Sequence, residues 1–476
     1  MIKVKVRLRP IVSKLNMPTV LKTAYLPGDS IESLFISTQV GEIFYIRNGE
    51  IRTFLDIRPR ILQLGVSSGG YDERGLIGLA FHPGFYYNGL FYLYYSIAGA
   101  QGPGAIPNAS SEPFKPNPCD PGTLNRKWIN RDKEYDHIDT LEEWILQPNG
   151  QPQKRRTLLQ IRRPFLNHNG VNSLNFSPET GKLVLTTGDG GSGYDPFNLS
   201  QDDMEIAGKI IEIDVTKNTF IDQPPVVTRF DELPVPIQET LTVIAKGVRN
   251  ISGISFQRFY HRYIKYVGIV GQDLVESIFS FIHYRPIPVT QLIQASLKKS
   301  ELDQEGFVNF GWRGWEGDFP TSFITSCSAN PALDQKTIAY YDDAVKTSAR
   351  RLPPLISYFH EEPRTDKFRA TALTGVQPYM GNEIPGLTGN VVFTDLAVRA
   401  KDSQLPVRGA LAYTRPRMDC KLNDFSVMDV DYPFGSQSAY YVSLGANMNQ
   451  TKLYLGVYGS MKVADYHEGS VFEIVP

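Results

Sequence analysis

From about residue 18 onward, short apolar runs alternate with clusters of Gly, Asn, Asp and Pro. That rhythm is the mark of short strands joined by tight turns. LFISTQ (34–39) and GEIFYIRNGEI (41–51) read as two strands about a turn. LFYLYYSI (90–97), KLVLTTG (182–188), KIIEIDV (209–215), NVVFTDL (390–396), LYLGVYG (453–459) and SVFEIV (470–475) read the same way. Helical periodicity is scarce. The best helical candidate, DTLEEWIL (139–146), reads almost as well as a strand entry.

Two stretches share one form, a turn followed by an apolar strand: SPETGKLVLTTGD (177–189) and NQTKLYLGVYG (449–459). Weak self-similarity at such intervals predicts small sheets repeated about an axis, in a period too irregular for WD40 or kelch repeats. The expected fold is therefore all-β, a propeller over residues 18–476 preceded by an N-terminal extension, 1–17. Residues 100–160 and 320–370 are loop-rich and are expected as insertions over one face, where ligand contacts are often carried. The 51 Tyr and Phe (25 and 26), with 40 Gly and 33 Pro, agree with many strands and turns.

A formal net charge of −1 removes any bulk electrostatic case for nucleic acid or an anionic membrane. No window holds the ~18 apolar residues of a membrane span, and MIKVKVRLRPIV lacks the apolar core of a secretion signal. A cytoplasmic location, or packaging within a larger particle, is the expectation. Cys119, Cys327 and Cys420 are expected to be isolated thiols, with one bridge left open.

Residues 166–196 carry the densest chemistry. Gly188, Asp189, Gly190, Gly191, Ser192 and Gly193 fit a dinucleotide fingerprint, but Pro196 follows where a helix must open. The glycines are read instead as a tight turn capped by Asp189 and Asp195. His168 lies between two asparagines at an exposed strand entry, where a general base needs to be. Arg249 and Asn250 precede another strand, and Arg can hold a carboxylate through two parallel bonds. Trp312 and Trp315 read as packing, with Trp315 the one expected to line a pocket. His82 reads as packing too.

In order along the chain, LFISTQVGEIFYIRNG, DERGLIGLAFHPGFYYNGLFYLYYS, LNHNGVNSLNFSPETGKLVLTTGDGG, KGVRNISGISF, VGQDLVESI, FVNFGWRGWEG, LPPLISYFHEE and TGVQPYMGNEIPGLTGNVVFTDL resemble the glucose/sorbosone dehydrogenase family. That family comprises the soluble quinoprotein sugar dehydrogenases and their hedgehog-interacting-protein relatives. The resemblance implies a six-bladed propeller with pyrroloquinoline quinone (PQQ) and calcium at the axis. It makes His168 the base that takes a sugar hydroxyl proton, and Arg249, Asn250 and Gln272 cofactor contacts. Glu73 stands where sugar-oxidising members carry a glutamine, Asn167 replaces an aspartate, Met380 a basic residue and Ile269 an acidic one. Arg415 and Arg417 have the spacing of the family's late arginine pair but sit early. Two functions follow: a PQQ-dependent dehydrogenase of an aldose or similar alcohol, or a non-catalytic binding propeller with a protein or glycan partner.

Overall fold

The structure is a computed structural model; it describes residues 3–476 except 67, 100–101, 103–104, 107–125, 218–222, 299–307, 322–349, 399–405, 418–422, 434, 464 and 466. The three cysteines, and residues 107–125 and 322–349 of the expected insertions, lie outside the described residues, while residues 137–160, expected within the first insertion, lie largely in two long strands of the second blade.

Six antiparallel sheets follow one another along the chain. Blade one is Pro18–Tyr25, Glu32–Thr38, Glu42–Arg47 and Glu50–Asp56. Blade two is Leu76–Phe81, Leu90–Ile97, His137–Leu146 and Pro152–Arg163. Blade three is Leu174–Phe176, Leu183–Thr186, Lys209–Ile213 and Leu241–Lys246. Blade four is Asn250–Phe259, Arg262–Val270, Val275–Phe281 and Ile356–Phe359. Blade five is Leu373–Pro378, Val391–Asp395, Ala410–Thr414 and Ser426–Val427. Blade six opens with Tyr440–Ala446, Leu453–Tyr458 and Gly469–Val475. The architecture is the six-bladed β-propeller that the resemblance implied.

The N-terminal residues, expected as an extension, supply blade six with its next strand. Lys5–Leu15 pairs antiparallel with Gly469–Val475, in the register Arg7 to Val475 and Leu8 to Ile474. Its alternating burial explains why: Val6 and Leu8 point into the core while Lys5 and Arg7 face outward. The first and last strands thus close the ring and leave no open seam.

Three local readings change. DTLEEWIL lies within a ten-residue strand in the middle of blade two. Its helix-like look comes from Glu142 and Glu143, which are buried, not solvated. Tyr95 donates to Glu142 at 2.9 Å and Tyr92 to Glu143 at 2.8 Å, with Lys154 and Arg156 pairing with them from the next strand. The run 41–51 splits into two strands at Asn48-Gly49, both left-handed (φ 52° and 77°), the preferred two-residue hairpin turn. A helix, Val289–Lys298, buries Val289, Leu292 and Ala295 on one face at a spacing of three.

Each junction between consecutive blades has its own apolar cluster. These wedges hold the axis at a fixed width. All six innermost strands run in the same direction, and each brings a residue at or near its start to a central cavity: Thr19, Ile77, Val171, Asn250, Leu373 and Val442.

The role of the first strand is testable at Leu8, which is 2% exposed in the blade five–six core. Leu8→Ala is expected to lower the free energy of unfolding by about 2–5 kcal/mol in chemical denaturation. A loss below about 1 kcal/mol, as for a surface change, would mean that the strand is peripheral to the ring.

Candidate functional site

The axial cavity has a volume of about 390 Å³ and is lined by all six blades and the loops that precede them. His168, Arg249, Asn250, Gln272 and Glu73 all line it, so five of the six residues expected from sequence converge.

His168 sits in the loop between blades two and three with a left-handed backbone (φ 58°), a conformation a non-glycine residue keeps only when its surroundings impose it. They do so from three sides. The Glu73 carboxylate accepts the His168 backbone N–H at 2.7 Å. Arg163 donates to the His168 carbonyl at 2.8 Å and to the Gly188 carbonyl at 3.1 Å. Gly188 packs so close that a Cβ there would lie 2.0 Å from the His168 carbonyl oxygen and 2.9 Å from that of Arg249. Glycine at 188 is therefore a condition for bringing the blade-three loop against both residues.

The imidazole Nδ1 lies 2.8 Å from Asp189 Oδ1. Asp189 also accepts the Gly191 backbone N–H at 2.8 Å and the Trp312 indole N–H at 2.8 Å. The sequence reading had made Asp189 only a turn cap; the structure makes it the partner of His168. Its companion Asp195 does cap, accepting from the Leu199 and Ser200 backbones. Nothing in the sequence linked Asp189 to His168, because they are 21 positions apart with a whole strand pair between them.

Arg249 donates through Nε and Nη2 to the Gln272 side-chain oxygen (3.1 and 3.0 Å) and through Nη1 to the Val270 carbonyl (3.2 Å). Its guanidinium carbon lies 5.6 Å from the Trp312 ring centre. Asn250 donates to Glu73 at 3.1 Å and accepts the Gly170 N–H at 3.1 Å. Glu73 also accepts the Tyr71 hydroxyl at 2.5 Å.

Trp315 departs from expectation. It lines a small adjoining crevice with Arg249 and Trp312, outside the axial cavity, because the two-stranded turn Trp315–Glu316 with Phe319–Pro320 carries it away. Trp312, read as packing, is the indole that reaches the site. His82 packs on Phe176 as expected (5.4 Å). Met380, Arg415 and Arg417 are not among the lining residues, and Ile269 lines only the crevice. His360, which sequence reasoning passed over, lines the cavity from blade four with Nε2 2.8 Å from Glu276.

Burial, with Arg249 second, pushes His168 down to about 3, and burial pushes Asp189 up to about 7. Between those values a protonated Asp189 faces a neutral imidazole; above about 7 the carboxyl proton is lost and the imidazole keeps its one ring N–H. In that upper state Asp189, facing three N–H groups, takes the Nδ1 proton as a hydrogen bond and leaves the Nε2 lone pair for the cavity. The ability of His168 to accept a ligand hydroxyl is therefore expected to rise as pH increases through about 7. Asp189→Asn is expected to remove that inflection. A wild-type binding profile flat from pH 5 to 9 (roughly two units either side) would show that the pair does not control the site.

The quinone and calcium implied by the resemblance can be tested against these residues. Formal charges among the described lining residues are Asp72, Glu73 and Arg249, and Asp72 is neutralised by buried Arg74 at 2.7 Å. One cation and one anion remain for a group bearing three carboxylates. Three of the guanidinium's N–H groups are already engaged. Each charge-assisted hydrogen bond contributes about 1.5–3 kcal/mol, so a cradle this short of cations does not fit the tricarboxylate. Among the described residues, no group of three or more His, Cys, Asp or Glu is placed to hold a metal ion.

Comparison with known proteins gives the scaffold its relatives. HIPL1 protein of Arabidopsis thaliana is 25% identical over 386 residues, 77% of this chain and 50% of its own length. Hedgehog-interacting protein of Homo sapiens is 26% identical over 215 residues, 44% of this chain and 26% of its own. The chain spans about half the length of the HIPL relatives it matches. The PQQ-bound aldose sugar dehydrogenase of Streptomyces coelicolor superposes with a TM-score of 0.55 at 16% identity, covering 99% of this chain and 97% of that one. The apo-form of the soluble aldose sugar dehydrogenase of Escherichia coli gives 0.53 at 13%, covering 99% and 100%. Both share the fold. The family model for Glucose / Sorbosone dehydrogenase matches residues 16–279, more than half of the sequence and the half that holds His168, Arg249 and Gln272. The chain belongs to the glucose/sorbosone dehydrogenase family.

Proposed function

We propose that the axial cavity binds a small neutral hydroxyl-rich molecule, an aldose or related alcohol, with His168 Nε2 accepting a ligand hydroxyl. The observation that carries this reading is the lining itself: an oriented imidazole, one unpaired carboxylate, one guanidinium and three amides, with their charges balanced and their geometry fixed from behind. Planar polar groups of this kind both donate to and accept from hydroxyls, and fixing them beforehand lowers the ordering cost of binding. No helix among the described residues is long and apolar enough to cross a membrane, so a membrane-spanning helix plays no part in the proposal.

Isothermal titration with glucose and other neutral aldoses is expected to give saturable binding. His168→Ala is expected to weaken it about ten-fold, the equivalent of about 1.4 kcal/mol, in protein that still unfolds cooperatively. If no aldose or polyol binds, the reading falls.

The His168–Asp189 pair favours a second reading, an oxidoreductase acting on the same hydroxyl, since a neutral oriented imidazole is what proton removal requires. PQQ and calcium belong to this reading. The check is to titrate both and follow visible absorbance while aldoses are added. Sugar-dependent reduction, abolished by His168→Ala, would establish the dehydrogenase. Absence of quinone binding would leave a binding propeller, and the names of its hedgehog-interacting relatives then point the search to a protein partner.

A further inference from the structure

Glu73 carries a charge that its contacts do not need. Its partners are the Tyr71 hydroxyl, the His168 backbone N–H and the Asn250 amide, all neutral donors. It makes no ion pair among the described residues, although Asp72 beside it is locked to Arg74. A glutamine would satisfy the same three contacts, its oxygen accepting from His168 and Asn250 and its amide donating to the Tyr71 oxygen. Position 73 can therefore hold His168 without a charge. The carboxylate adds only an electrostatic field, and the cavity receives it.

That field offsets the one from Arg249, the formal cation among the described lining residues, which like Glu73 meets only neutral hydrogen-bond partners. Burial, then Glu73, holds the Tyr71 phenol well above its ordinary range, so Tyr71 stays a neutral donor and adds no second negative charge. Half-buried at the mouth of a cleft with low-dielectric walls, an unpaired carboxylate acts on a ligand more strongly than it would in water.

We infer that Glu73 sets the charge selectivity of the axial cavity: by offsetting Arg249 it leaves the lining without a net positive charge, disfavouring anionic ligands and favouring neutral hydroxyl compounds. This rests on the reading of the cavity as a hydroxyl-binding site and names the class of ligand it takes. It also gives the cavity's poor match to a tricarboxylate a single residue as its main cause.

Two measurements test it, one independent of sugar binding. Wild-type protein and Glu73→Gln are titrated with PQQ, used as a trianionic probe, by quenching of tryptophan fluorescence. The variant is expected to bind it at least about ten-fold more tightly, the effect of removing one like charge at close range. Equal affinity, or no binding to either protein, overturns the inference. On the wild-type protein alone, glucose is expected to bind more tightly than glucuronate. Equal affinities for the two also overturn it, and this arm needs no variant to fold. Failure of glucose to bind either protein, beside a gain in PQQ affinity for Glu73→Gln, would sink the sugar reading and leave the charge inference standing.

Discussion

Closure of the ring governs everything at the axis. A propeller blade is a twisted four-stranded sheet that cannot bury both faces alone, so each depends on its two neighbours. Six apolar clusters, one at each junction, fix the angle between blades. At the last junction Lys5–Leu15 crosses back to pair with Gly469–Val475 and adds Leu15, with Ile11 and Val12 beside it, to the apolar cluster between blades six and one. The strand starts that meet in the cavity hold their positions because the circle is complete.

Within that frame, the site is a set of mutual constraints. Arg163, buried in blade two, holds two carbonyls of the blade-three loop; Gly188 lets that loop approach; Glu73 reaches across to take the His168 N–H. Asp189 then has one geometry open to it, facing His168 on one side and Trp312 on the other. A left-handed histidine costs on the order of 1–3 kcal/mol, and these contacts offset it while aiming the ring. Burial keeps the imidazole neutral, which makes it a hydrogen-bond acceptor at the Nε2 position and not a cation.

What the sequence disclosed, and what it hid, follows from the range of the interactions. Strands such as Leu90–Ile97 and Gly469–Val475 are written as local apolar runs bounded by turn residues, so their bounds were legible to within a residue or so. The strand His137–Leu146 was ambiguous because its glutamates are buried by tyrosines and cations from neighbouring strands, information that lies outside the segment. The place of Lys5–Leu15 depends on a partner more than 450 residues away and cannot be read from its own alternation. At the site, polar residues beside glycines (His168, Arg249, Asn250) announced themselves. Asp189, Trp312 and His360 did not, since each acquires its role from a contact distant in sequence. Trp315 misled because Trp312, three residues earlier, occupies the position that touches Asp189.

A scaffold that gathers strand starts around an axis separates stability from specificity. The junction clusters are apolar and hold the ring whatever fills the cavity, whereas most of the charged and polar lining (Glu73, His168, Arg249 and Gln272 among it) comes from loop residues outside those clusters. Glu73 lies in such a loop, ahead of Leu76–Phe81, with every contact satisfiable by an uncharged isostere. The charge there is thus free to change without disturbing the blade behind it. His168 has no such freedom, because its backbone is gripped by Glu73 and Arg163 and its ring by Asp189. A cavity built this way keeps its hydrogen-bond acceptor fixed and lets the surrounding charge decide which hydroxyl compound reaches it, so a relative's fold alone does not determine the ligand.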